Sequence, residues 1–102
     1  PFPDARIHWR RDATIGSWPI EVDRATESRT AWRRKLIRYL TAQNSDPILA
    51  LTTSEARATG LAHVASEVGV PLLATTLRAC QDTLDPHVLD TRTRRRLPLS
   101  QT

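Results

Sequence analysis

Glu21-Val22-Asp23 is the triplet in this chain best placed to do chemistry. On a β-strand, positions i and i+2 project from one face, so the two carboxylates stand side by side. Oxygen pairs of this kind suit a hard divalent cation such as Mg2+ or Mn2+. Held there, the cation would lower the pKa of water and offset the charge that develops in phosphoryl chemistry. Asp4 is the third acid, reached if its segment pairs with that of Glu21 in a hairpin. With Trp9 opposite Trp18, Asp4 falls opposite Asp23 and Arg6 opposite Glu21, which gathers the acids at one end of the hairpin. The plainer alternative is that these strand-end acids are solvated or paired with Arg6.

Lys35 is the one lysine in the chain. On a helix it lies beside Ser28, Trp32 and Tyr39, at the edge of an apolar stripe. Helical side chains lean toward the N-terminus, which here is the end carrying the acidic strand. The demand on reach is large, because a helix rises about 12 Å between Glu27 and Lys35.

The elements that would position these groups follow from periodicity. Asp4–Arg10 and Trp18–Asp23 alternate polar and apolar residues as half-buried strands do, with Asp12–Ser17, including Gly16, as the turn between them. Thr26–Gln43 repeats Trp32, Leu36, Tyr39 and Leu40 at helical spacing, with Thr26 or Ser28 as cap. Ile48–Thr52 and Leu72–Thr76 are short apolar strands on either side of a helix that runs from a Ser54 cap to Val68 and stops at Gly69. That strand–helix–strand unit calls for parallel strands. A short helix follows at Thr76–Asp82, and Arg94–Leu97 reads as either a last edge strand or a basic tail. The expected fold is α/β, a mixed sheet in the order β-β-α-β-α-β flanked by helices.

Composition sets the bounds. The 102 residues hold one core, and 39% apolar residues supply it. The chain begins with Pro and contains no Met, which reads as a single domain that is part of a longer protein. No apolar run is long enough to cross a bilayer, and the lone cysteine, Cys80, excludes an internal disulfide. Both point to a cytoplasmic setting. Fifteen basic residues against eleven acidic, all but one of the basic ones Arg, favour phosphate as partner. The candidate DNA contacts are Arg29, Arg33, Arg34 and Arg38 on the first helix and the run Arg94, Arg95 and Arg96. That run would equally form a solvated terminus or pair with Asp82, Asp85 and Asp90. His8, His63 and His87 lack metal-ligand spacing, and His63, between core positions of the second helix, reads as structural. Trp9, Trp18 and Trp32 are in phase with apolar neighbours and read as core rather than as a stacking platform for bases.

Pro3-Asp4-Ala5, Pro19-Ile20-Glu21-Val22-Asp23-Arg24-Ala25-Thr26-Glu27 and Lys35-Leu36-Ile37-Arg38-Tyr39 together resemble the C-terminal domain of the replication-relaxation family, proteins of plasmids and conjugative elements. The resemblance runs from about Pro3 to Thr76 and implies an upstream winged helix-turn-helix region. It also implies a PD-(D/E)xK, restriction-endonuclease-like core, with DNA as partner, contacts to relaxase or replication proteins, and a homodimer as one assembly. Carried over by position, Asp4 is the first acid and Glu21 the second, while Asp23 stands where that pattern has Lys. Either Asp23 is a third metal acid and Lys35 supplies the amine from the helix, or catalysis has been lost. The expected function is therefore a non-catalytic DNA-associated accessory domain. Its alternatives are an active Mg2+- or Mn2+-dependent endonuclease and a protein-interaction module.

Overall fold

A computed structural model describes residues 3–102 as a six-stranded sheet with three α-helices. The elements are β1 (Ala5–Arg11), β2 (Thr14–Val22), α1 (Arg29–Thr41), β3 (Ile48–Thr52), α2 (Glu55–Val68), β4 (Leu72–Thr76), α3 (Leu77–Asp82), β5 (His87–Asp90) and β6 (Arg95–Pro98). Spatial order equals chain order, β1 through β6. The central β2–β3–β4 strands run parallel, and each flank is antiparallel. The sheet is thus mixed. Among the described residues no helix is long and apolar enough to cross a membrane.

Local signals explain the best-defined elements. Ser28 Oγ accepts the Ala31 N–H to start α1, and Ser54 Oγ accepts the Arg57 N–H to start α2. Gly69 closes α2 in the left-handed region at φ 89°, where a side chain would be strained. β3 and β4 pair in register over all five residues, Ile48 to Leu72 through Thr52 to Thr76.

Two layers of apolar side chains flank the sheet. Trp32, Leu36 and Tyr39 of α1 and Ala58, Leu61, Val64 and Ala65 of α2 pack on Ile48, Ala50, Leu72 and Ala74. The opposite sheet face carries Trp18, Leu49, Leu73 and Val88, flanked by Ile7, Trp9 and Leu99. Leu40 falls outside the α1 stripe and is 49% exposed.

The hairpin register differs from the expected one by two residues. Trp18 lies opposite Ile7, and Trp9 lies opposite Gly16. The turn is only Asp12-Ala13, with Asp12 at φ 52°, so Thr14–Ser17 are strand rather than loop. A two-residue turn of that hand closes the strands early and fixes the shorter register. Because side chains alternate with period two, a slip of two leaves every residue on its expected face. Gly16 is needed for a different reason from a turn: the Trp9 ring lies across it, and a Cβ there would collide with Cζ2 of that ring. Trp9 then meets Trp18 diagonally, with ring centroids 5.7 Å apart. Gly16→Ala is expected to displace Trp9 and lower stability by about 1–3 kcal/mol, read from the denaturant midpoint.

Pro19 marks a boundary within β2. Only Ile20–Val22 pair with β3, whereas the residues before Pro19 pair with β1 alone. A residue without an N–H is tolerated where one side of the strand has no neighbour. The distal hairpin therefore runs on past the sheet as a two-stranded ribbon. At the other edge, Arg94–Leu97 is no tail: Arg94 is in the β5–β6 turn at φ 59°, and Arg95–Pro98 form the edge strand β6.

Candidate functional site

The strand β2 delivers Glu21 to the α1-covered face, where the carboxylate is 4% exposed. Ala5 pairs with Ile20, so Asp4, just before β1, stands beside Glu21 rather than opposite Asp23. Asp4 Oδ2 accepts the Val22 N–H at 2.8 Å, which anchors it at the rim. From α1, Tyr39 Oη donates to Glu21 Oε1 at 2.7 Å, and Lys35 Nζ lies 3.6 Å from Glu21 Oε2. Residues four apart share a helix face, which brings Lys35 and Tyr39 to the same carboxylate. Reach is solved by the N-terminal lean of the lysine and by a late helix start. Glu27 precedes the Ser28 cap, and Lys35 Nζ meets Glu27 Oε1 at 2.9 Å. The ammonium also sits 4.5 Å from the centroid of the Trp32 ring, a cation–π contact.

The charges of this cluster depend on one another. Burial pushes the Glu21 carboxyl above its ordinary value, and the Tyr39 hydrogen bond and the Lys35 charge only partly offset it while Asp4 pushes further up. Burial alone would lower the Lys35 ammonium, but the Glu27 hydrogen bond and the charges of Glu21, Glu27 and Asp4 leave it raised. Burial and the bond to Glu21 raise the Tyr39 phenol well beyond its usual range, so it is a donor at neutral pH.

Asp23 takes a different course. It is fully buried, and its carboxylate is clasped by Arg57 of α2, with Nε 2.6 Å from Oδ2 and Nη2 3.0 Å from Oδ1. Trp32 Nε1 and the Ala25 N–H each donate to Oδ1 at 3.2 Å. Arg57 also donates to the Glu27 carbonyl. Burial would raise the Asp23 carboxyl, but the Arg57 and Trp32 hydrogen bonds and the Arg57 charge hold it below its ordinary value. Asp23 and Glu21 share a sheet face yet serve separate partners. Asp4, Glu21 and Lys35 come together; Asp23 locks β2 to α2.

Among the described residues no group of three or more His, Cys, Asp or Glu side chains converges on one point. Asp4 and Glu21 are the two neighbouring carboxylates available to a shared cation, with both Glu21 oxygens facing protein donors. The candidate DNA-contacting arginines divide. Arg33 pairs with Glu67 at 3.1 Å, and Arg29 lies against Gly60 of α2, while Arg34 and Arg38 are exposed on α1. Arg94, Arg95 and Arg96 lie at the β6 edge, the opposite edge from Asp4, and Arg96 is held by Glu55 at 2.7 Å. Arg92 clasps the buried Asp90, a second structural ion pair. His8 lies opposite Ser17, on the face of the acids but four residues along β1 from Asp4, and His63 is on the α2 surface beside Glu67 rather than in the core.

Sequence reasoning missed Tyr39 and Arg57 as members of these clusters. Tyr39 carried a signal, its spacing of four from Lys35. Arg57 carried none, being 34 residues from Asp23. No family model, curated protein or solved structure matches this chain.

Proposed function

We propose that this chain is a DNA-associated accessory domain of plasmid or conjugative-element replication, with a restriction-endonuclease-like core whose acid–lysine site is structural rather than catalytic. The observation that carries this reading is the meeting of Asp4, Glu21 and Lys35 at one rim, with Asp23 drawn away to Arg57. A hard cation needs several open oxygens. Here one Asp4 oxygen accepts the Val22 N–H, Glu21 is held by Tyr39 and Lys35, and Asp23 is spent on Arg57. The free arginines of α1, Arg34 and Arg38, and the net charge of +4 favour a phosphate partner.

A second reading, an active Mg2+- or Mn2+-dependent endonuclease, is favoured by the same lysine. Its amine stands within ion-pair distance of Glu21, where it would hold a water or a phosphate oxygen. In that reading Asp4 and Glu21 would be the metal ligands.

Supercoiled plasmid with Mg2+ or Mn2+ separates the two. The accessory reading expects retarded plasmid migration without nicking. Nicking that disappears in Glu21→Ala and in Lys35→Ala would replace it with the enzyme. Absence of any retardation at low salt would overturn DNA association itself.

A further inference from the structure

The arginines of this protein fall into two populations. Arg33, Arg57, Arg92 and Arg96 each bond a carboxylate within the fold. Among the described residues the other ten have no carboxylate partner, and three of these ten, Arg6, Arg10 and Arg11, lie together on β1. Arg6 Nε instead donates to Ser17 Oγ across the hairpin at 3.3 Å. The segment from Arg6 to Ser17 carries three arginines and a histidine against the single acid Asp12.

Geometry arranges these charges. Arg6, His8 and Arg10 alternate along one face of β1, the face that also bears Asp4 and Glu21. Neighbours in that row are about 6.6 Å apart along the strand. Beyond Pro19 the ribbon has lost β3 as a neighbour. His8, Trp9, Arg10, Ile15, Gly16 and Ser17 line an open hollow of about 610 Å³ there. Ile15 is 71% exposed beside the row. A row of like charge on an exposed strand concentrates a positive field that draws polyanions.

We propose that the projecting β1–β2 ribbon is the principal nucleic-acid contact of the protein, with Arg6 and Arg10, about 13 Å apart along the strand, gripping two phosphates of a duplex and His8 facing the phosphate between them. A two-stranded ribbon has the dimensions to enter a DNA major groove. The row would also lead the backbone toward the Asp4–Glu21–Lys35 rim. This inference rests on the DNA-association reading but assigns the contact to residues outside the arginine sets of α1 and β6. Phosphate contacts of this kind supply affinity and register, not base sequence.

The test is fluorescence anisotropy of the full chain with a labelled DNA duplex, titrated with salt from about 50 to about 200 mM. Arg6→Gln/Arg10→Gln is expected to weaken binding at least about ten-fold at the lower salt and to flatten the log–log salt slope by about two. Arg94→Gln/Arg95→Gln should change affinity less than about two-fold. Arg6→Lys/Arg10→Lys should keep the salt slope, since charge is retained, and far-UV circular dichroism should be unchanged throughout because these side chains are exposed. Native binding with no loss in Arg6→Gln/Arg10→Gln overturns the ribbon assignment and leaves DNA association standing. A native protein that binds no duplex overturns both. Binding instead of an extended peptide alternating Asp and Val, lost in Arg6→Gln/Arg10→Gln, would reassign the β1 edge to an acidic protein strand and overturn the nucleic-acid partner.

Discussion

Arg57→Ala is expected to lower the unfolding free energy by about 3 kcal/mol at neutral pH, read as an earlier urea midpoint with unchanged slope. The guanidinium makes two hydrogen bonds to a carboxylate that no solvent reaches. Without it, Asp23 keeps only Trp32 Nε1 and the Ala25 N–H as donors. A domain of this size has about 5–15 kcal/mol in total, so the loss is a large share. The pH dependence has a definite sign. In the native protein Asp23 is depressed, so its contribution is present above its unfolded pKa, near pH 4, and is lost as pH falls through the folded value. In Arg57→Ala burial is no longer opposed by that charge, so the carboxyl rises and protonation relieves the variant. The gap between native and variant should therefore narrow on acidification. Asp23→Asn, which removes the charge but keeps an acceptor, should lose less than Arg57→Ala. Equal stability of Arg57→Ala and native protein at neutral pH would show that the clasp adds nothing net.

Lys35→Met is expected to cost about 2 kcal/mol at neutral pH and progressively less in acid. Glu21 is raised already, chiefly by burial, so folding favours its protonated form. A raised carboxyl contributes stability below its unfolded pKa and loses it as pH rises through the folded value. Removing the ammonium raises Glu21 further and shifts that window toward neutrality. Lys35 titrates at the other extreme: its raised value holds a contribution below its ordinary pKa that is lost at higher, strongly alkaline pH. Glu21→Gln should be nearly neutral by itself, since an amide oxygen still accepts from Tyr39. Combined with Lys35→Met it should recover most of the single-variant loss, a coupling that thermal denaturation of all four proteins would read. Additive losses would mean that Lys35 acts through Glu27 and Trp32 instead of Glu21.

Much of this fold was written locally. Short apolar runs, the Ser54 cap and the Gly69 stop placed β3, α2 and β4 on the residues where they occur. The first helix was expected too long. Trp32, Leu36 and Tyr39 are its buried stripe, but Asp23 and Ala25 hold the preceding segment in a turn, with Ala25 at φ 61°, so the helix waits for Ser28. The hairpin register departs from the one a turn at Gly16 would set, because that glycine lies beneath a tryptophan ring instead. β5 has only four residues and follows β4 through the short helix α3, which leaves little periodicity to detect. In the site, period two put Glu21 and Asp4 on one face, and helical lean pointed Lys35 toward them. Which acid would stay there was not legible. That was decided by an arginine on another helix, a long-range choice with no local trace.

The agreement of spatial and chain order in the sheet bears on how the molecule comes together. Each strand docks against the one made just before it, so no segment must thread between two already joined. Asp4, Glu21, Lys35 and Tyr39 all belong to the first 41 residues, within β1, β2, α1 and their immediate flanks. Growth from the N-terminus would therefore bring the acidic rim together early and defer its bracing until α2 arrives with Arg57.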